Sequence, residues 1–215
     1  MKRVAVLISG RGSNMAALIS AVRDGKIDAT LVGVISNRAD AAGLAIAARE
    51  GVATQVVEHR AYSDRATFEV ELGRAIDALE PDLIVLAGFM RVLSAAFVER
   101  YAGRLMNIHP SLLPAYPGLH THRKALEDGV RIHGCTVHFV TATIDHGPIV
   151  AQGAVAVRDD DNEASLAARV LDVEHAILSH AVRWFCADRL VIGGGAVRVK
   201  QGRADVPALI VPLAE

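Results

Sequence analysis

Cysteine is scarce in this chain. Only Cys135 and Cys186 occur among 215 residues, and they form no motif with each other. Usage this low suits a reducing compartment, and each thiol reads as a small buried apolar group. Long apolar runs are missing too. Behind Met1-Lys2-Arg3, the run Val4-Ala5-Val6-Leu7-Ile8 is interrupted by Ser9-Gly10-Arg11-Gly12, too early for a secretory leader. No segment reaches the ~18 apolar residues that a membrane helix needs. A cytoplasmic protein with no membrane partner is expected. Nor is one sign of charge in excess: 23 basic and 24 acidic residues give a net charge of −1 and are spread along the chain. The footprint of a nucleic-acid binder is lacking. The histidines, nine in all, lack the acidic or cysteine cluster of a zinc site even at His120-Thr121-His122, His133 and His138, so no metal is expected. Asp159-Asp160-Asp161 has neither the spaced ligands nor the glycine of a calcium loop and reads as a solvated turn.

What the chain does have is apolar content. Apolar residues make up 52% and charged residues 22%, in a length that fits one domain whose core can offset chain entropy unaided. The apolar residues fall in short runs without alternation, at 4–8, 31–36, 53–57, 83–88 and 104–109. Between them come stretches of helical spacing: Met15, Leu18, Ile19 and Val22; the alanine-rich 41–49, stopped by Gly51; Phe68, Leu72, Ile76 and Leu79; and 95–101. Unalternating strands separated by helices predict an open, doubly wound α/β fold, a mostly parallel sheet with helices on both faces. After Gly118 the character changes. Two longer strand-like runs at 133–140 and 149–157 precede a long helix over 163–186, and 190–199 reads as a hairpin around Gly193-Gly194-Gly195.

Three groups of residues could carry chemistry. Ser9-Gly10-Arg11-Gly12-Ser13-Asn14 lies between the first strand and the first helix, where backbone N–H groups and the helix dipole converge on an anion. Glycine lets the backbone approach a ligand closely, and Ser13 and Asn14 can cap the helix and bond phosphate oxygens. Met15 stands where a dinucleotide fingerprint has its third glycine, and the Gly-Lys-Ser/Thr ending of a triphosphate loop is absent, so a phosphate monoester fits best. Asn107 and His109 flank Ile108 with the two-residue period of a strand and face one side. At the carboxyl end of a parallel sheet, an amide donor beside an imidazole supplies what acyl transfer requires, an oxyanion donor and a proton-transfer group. Asp145, in a turn before Gly147-Pro148, would stand beside His109, orient it and favour its charged form.

Several segments together resemble the phosphoribosylglycinamide formyltransferase family of folate-dependent enzymes, nearly end to end. They are Gly10-Arg11-Gly12-Ser13-Asn14, Leu86-Ala87-Gly88-Phe89-Met90-Arg91, Asn107-Ile108-His109-Pro110-Ser111-Leu112-Leu113-Pro114, Tyr116-Pro117-Gly118 and His133-Gly134-Cys135-Thr136-Val137-His138. The resemblance implies transfer of a formyl group from 10-formyltetrahydrofolate, as cosubstrate, to glycinamide ribonucleotide in purine synthesis. It also implies site residues. Asn107, His109 and Asp145 match the catalytic trio; Gly12, Ser13 and Asn14 match the phosphate loop; Glu174 matches the acidic residue that holds the acceptor's ribose. Arg65, Met90, Arg91, Val92 and Leu93 match the folate pocket, and Thr141, Ala142, Thr143, Ile144 and Asp145 match the segment that closes over the pterin, with Asn107 also touching folate. Arg11 and His146 stand where relatives often have smaller residues.

The expected organisation is a single domain, 1–215. Residues 1–100 form the phosphate-binding half and 101–215 the folate-binding and catalytic half, in a monomer or homodimer. Two rival enzymes share the trio. The resemblance implies that formyltetrahydrofolate hydrolases carry an additional N-terminal domain, whereas here the catalytic fold begins at residue 4, and that transferases acting on methionyl-tRNA carry a further C-terminal domain. A non-enzymatic phosphometabolite sensor would leave the trio idle.

Overall fold

The computed structural model describes residues 1–202 and 211. Its first half alternates strand and helix: β1 Lys2–Ile8, α1 Ser13–Arg23, β2 Ala29–Ser36, α2 Ala42–Arg49, β3 Thr54–Val56, α3 Arg65–Asp77, β4 Leu83–Leu86, α4 Ala95–Arg100 and β5 Leu105–His109. There follow α5 Thr121–Glu127, β6 Ile132–Phe139, β7 Ile149–Ala156, α6 Glu163–Cys186, and the hairpin of β8 Leu190–Gly193 and β9 Ala196–Val199. The main sheet has the order β3-β2-β1-β4-β5-β6-β7. Strands β1 to β5 run parallel, while β6 and β7 are antiparallel to their neighbours. After β1 the chain turns to one side of the sheet, and with β4 it returns to the other. That reversal opens a crevice at the carboxyl ends of β1 and β4.

The strands lack alternation because both of their faces are buried. Val4, Val6 and Ile8 of β1 join Leu83 and Val85, Met106 and Ile108 in a core beneath α1 and α6. Leu7, Ile35, Ile84, Leu86 and Leu105 point the other way, against Phe68, Leu72 and Ile76 of α3 and Phe97 and Val98 of α4. Each two-residue step changes nothing in polarity because both sides are dry. The 24 residues of α6 begin at a capping box, in which Asn162 accepts from the Ser165 N–H and the Ser165 hydroxyl accepts from the Asn162 N–H. Gly194 and Gly195, both with positive φ, make the two-residue turn of the terminal hairpin.

Three features differ from the sequence reading. Helix α5 and a helical turn at His59–Ala61 are too short to show a period, with only Thr121 and Ala125 buried in α5. The third aspartate of 159–161 is not solvated. Its side chain is 2% exposed, receives the Arg169 guanidinium at 2.5 Å and accepts from the Ser165 hydroxyl at 2.7 Å. The Arg169 partnership holds its carboxyl well below the usual carboxylate range. The cap of α1 also differs, as described next.

Candidate active site

The loop after β1 is built around two close backbone contacts. Gly12 takes a left-handed conformation, φ 74°, as the N-cap of α1. A Cβ there would lie 2.8 Å from the Gly43 Cα of α2, so both strain and space call for glycine. The Gly43 N–H also donates to the Gly10 carbonyl at 3.0 Å. Contrary to the sequence reading, neither Ser13 nor Asn14 caps the helix: among the described residues no side chain does. The first N–H groups of α1 are thereby left for an anion.

Asn14 turns instead toward α6. Its Nδ2 donates to Glu174 Oε2 at 2.6 Å, and both residues are buried. Asn14 Oδ1 is buried without a hydrogen-bond partner among the described residues, a cost that a ligand donor would relieve. Burial pushes the Glu174 carboxyl up, opposed by the Asn14 bond and by the charge of Arg11.

Asn107 and His109 emerge at the end of β5, next to β6. The imidazole of His109 is anchored at Nε2, which donates to the Tyr116 carbonyl at 2.9 Å. Its Nδ1 lies 3.5 Å from Asp145 Oδ2. That separation is longer than a charge-assisted hydrogen bond, so Nδ1 is the nitrogen open to a ligand. Asp145, at φ 50°, is fixed in turn by the Gly118 N–H, which donates to Oδ2 at 2.8 Å. His109 and Asp145 thus stand side by side, and Asn107 precedes His109 by two residues on the same strand.

A further imidazole contacts Asn107. His138 stands directly across from Asn107 in the β5–β6 register. Its Nδ1 faces the Phe139 carbonyl at 3.0 Å and must donate, which leaves Nε2 to accept from Asn107 Nδ2 at 3.2 Å. Burial lowers the His138 pKa and keeps that acceptor lone pair available. In the sequence, His138 offers itself only as a metal ligand. Among the described residues no three His, Cys, Asp or Glu side chains are grouped to hold a metal.

The segment carrying the Tyr116 carbonyl is braced from β6 and β7. Thr136 Oγ1 donates to the Ser111 carbonyl at 2.7 Å and accepts from the Leu113 N–H at 3.0 Å, while Gln152 Nε2 donates to the Leu113 carbonyl at 2.8 Å. The Ser111 hydroxyl reaches the Ala115 carbonyl at 2.6 Å. Behind Tyr116, His133 packs edge-on at 5.9 Å and meets His122 Nδ1 at 3.2 Å. Burial pushes the His133 imidazole down to about 4. These bracing residues carry no local signal in sequence, since each acts across a turn or a strand pair.

Of the residues matched to a folate pocket, Met90 and Val92 are 65% and 55% exposed, unusual for large apolar side chains, and Ile144 is 56% exposed. Leu93 packs on the core beneath α3 and α4. Thr141 Oγ1 donates to the His146 carbonyl at 2.9 Å and folds the 141–146 loop on itself. Arg65 begins α3, with Glu69 its nearest carboxylate at 3.9 Å; no hydrogen bond joins it to the trio.

The model of the formyl transferase family matches residues 2–182. The phosphoribosylglycinamide formyltransferase of Escherichia coli (strain K12) is 52% identical over 187 residues, covering 87% of this chain and 88% of that protein. The crystal structure of glycinamide ribonucleotide transformylase 1 from Symbiobacterium toebii matches with a TM-score of 0.91 and 46% identity, over 94% of this chain and 95% of that one. The phosphoribosylglycinamide formyltransferase of Coxiella burnetii, solved in complex with CHES, matches with a TM-score of 0.88 and 43% identity, over 92% and 93% of the two chains. Sequence, fold and site geometry agree, and the chain belongs to the phosphoribosylglycinamide formyltransferase family of folate-dependent formyl transferases.

Proposed function

We propose that this chain transfers a formyl group from 10-formyltetrahydrofolate to the amine of glycinamide ribonucleotide, giving formylglycinamide ribonucleotide and tetrahydrofolate. The observation that carries the reading is the gathering of Asn107, His109 and Asp145 at the carboxyl edge of a sheet whose first strand opens on an uncapped helix N-terminus. The acceptor's phosphate is assigned to the backbone of Gly12, Ser13 and Asn14, and its ribose to Glu174. The unpartnered Asn14 Oδ1 fits a ligand hydroxyl there. The donor's folate is assigned to Arg65, Met90, Arg91, Val92 and Leu93 on one side and to Thr141, Ala142, Thr143, Ile144 and Asp145 on the other. Exposed apolar groups at Met90, Val92 and Ile144 support that assignment. The division into a phosphate half, 1–100, and a folate and catalytic half, 101–215, of one domain remains part of the proposal, with Glu174 crossing between them. Two free thiols support a cytoplasmic setting.

The amine attacks the formyl carbon directly, with both substrates held side by side. Asn107 is held at one N–H by His138, which leaves its second N–H for the developing oxyanion. His109, tethered through Nε2, presents a protonated Nδ1 to the same oxygen. Asp145 pairs with that imidazolium and helps carry a proton, through water, from the attacking nitrogen to the leaving folate nitrogen. Steady-state kinetics on Asn107→Ala, His109→Ala and Asp145→Ala test the roles. Each is expected to lower kcat by about 10²–10³, the usual cost of an oxyanion donor. Near-wild-type turnover in all three would rule the scheme out.

A further inference from the structure

The stretch 89–94 between β4 and α4 has no regular secondary structure, yet buried side chains fix it at two points. At its start stands Ser9, 6% exposed at the end of β1. The Ser9 N–H donates to the Gly88 carbonyl at 3.1 Å, and its hydroxyl accepts from the Met90 N–H at 2.7 Å while donating to Asn37 Oδ1 at 2.5 Å. Asn37 is itself 1% exposed, so this hydroxyl has a rigid partner on the β2 side. At the other end stands Glu69 of α3, a carboxylate 7% exposed. It accepts from the Ser94 N–H at 2.7 Å and, at its second oxygen, from the Ser94 hydroxyl. Phe89 and Leu93 pack into the core between these anchors, and Met90, Arg91 and Val92 are left exposed.

A buried carboxylate costs free energy unless its bonds are worth keeping, and here both of its oxygens bond Ser94, the N-cap of α4, with Arg65 3.9 Å from one of them. A buried hydroxyl bridging three strands' ends is spent likewise. We propose that Ser9 and Glu69 are positioning residues for the folate donor: they act through Met90 and Ser94 to hold the 90–93 wall in its binding shape. The proposal rests on reading Met90 to Leu93 as folate-facing.

The test combines kinetics with hydrogen exchange on the full chain. Ser9→Ala and Glu69→Met each remove an anchor, and Glu69→Gln restores an acceptor for the Ser94 N–H. Expected are a rise of about tenfold in donor KM for Ser9→Ala and Glu69→Met, with kcat and acceptor KM within about threefold of wild type, and recovery in Glu69→Gln. In the wild type, tetrahydrofolate should slow amide exchange across 90–94. If tetrahydrofolate protects those amides but donor KM is unchanged in both variants, or rises together with acceptor KM, the anchoring role is wrong and the folate reading stands. If those amides gain no protection, the folate reading itself falls and the proposal with it. Thermal unfolding checks each variant, and one folded variant suffices; loss of folding in both would make the anchors structural and overturn the proposal.

Discussion

Lowering the pH should destabilise this protein through His133, and the size of the effect follows from its surroundings. His133 is 1% exposed, with Tyr116 packed edge-on at 5.9 Å and His122 against Nε2. Burial disfavours the imidazolium and takes the pKa from 6.5 in the free side chain down to about 4. Between those values the unfolded chain binds a proton that the folded chain refuses, so stability is complete above pH 6.5 and is lost as pH falls toward 4. Linkage over that interval gives a loss of about 2 kcal/mol between pH 7.5 and pH 5, the limit being ~3 kcal/mol once both forms are protonated. Glu174 acts with the opposite sign, since its raised carboxyl pKa favours the fold at low pH, while His122 and His138 act with the same sign as His133. The wild-type curve therefore mixes several groups. Urea unfolding of wild type and His133→Gln at pH 7.5, 6.5, 5.5 and 5 isolates the contribution of His133, because packing lost on substitution is the same at every pH. The stability difference between the two proteins should shrink by about 2 kcal/mol from pH 7.5 to pH 5. A difference that stays constant to within about 0.5 kcal/mol would refute the reasoning.

Two further outcomes follow from the phosphate side of the site. Gly12→Ala places a Cβ 2.8 Å from the Gly43 Cα at a φ of +74°, and should cost about 1–3 kcal/mol in thermal unfolding as well as raising acceptor KM; an unchanged melting temperature and KM would contradict the close-contact account. Glu174→Ala strips Asn14 of its partner and should raise acceptor KM by roughly ten- to a hundredfold with donor KM unmoved. Equal effects on both substrates would argue for damage to the fold instead.

Much of the scaffold is legible in the residues themselves. Runs such as Val4 to Ile8 announce strands buried on both faces, and the structure sends Val6 and Leu7 to opposite cores. The parity of Asn107 and His109 likewise survives, because a two-residue period needs no knowledge of neighbouring strands. Asp145 is different. Alone it reads as a turn former; its approach to His109 depends on the 140–148 loop folding back to the Gly118 N–H, a contact 27 residues away in sequence. The contact of His138 with Asn107 is hidden from the sequence for a similar reason, since it exists only through an antiparallel register. The cap of α1 misled because serine and asparagine at a helix start usually bond their own helix, whereas here Asn14 finds a buried carboxylate 160 residues on. Asp161 follows the same pattern: two exposed neighbours conceal one residue committed to Arg169.

Release of tetrahydrofolate measures most directly whether this chain carries a formyl group from folate to an amine. The protein is mixed with 10-formyltetrahydrofolate, with and without glycinamide ribonucleotide. Release that depends on the acceptor, matched by formylglycinamide ribonucleotide formed in equal amount, is the predicted result. Release at the same rate without acceptor would make the chain a hydrolase, and no release at all would leave Asn107, His109 and Asp145 without their chemistry.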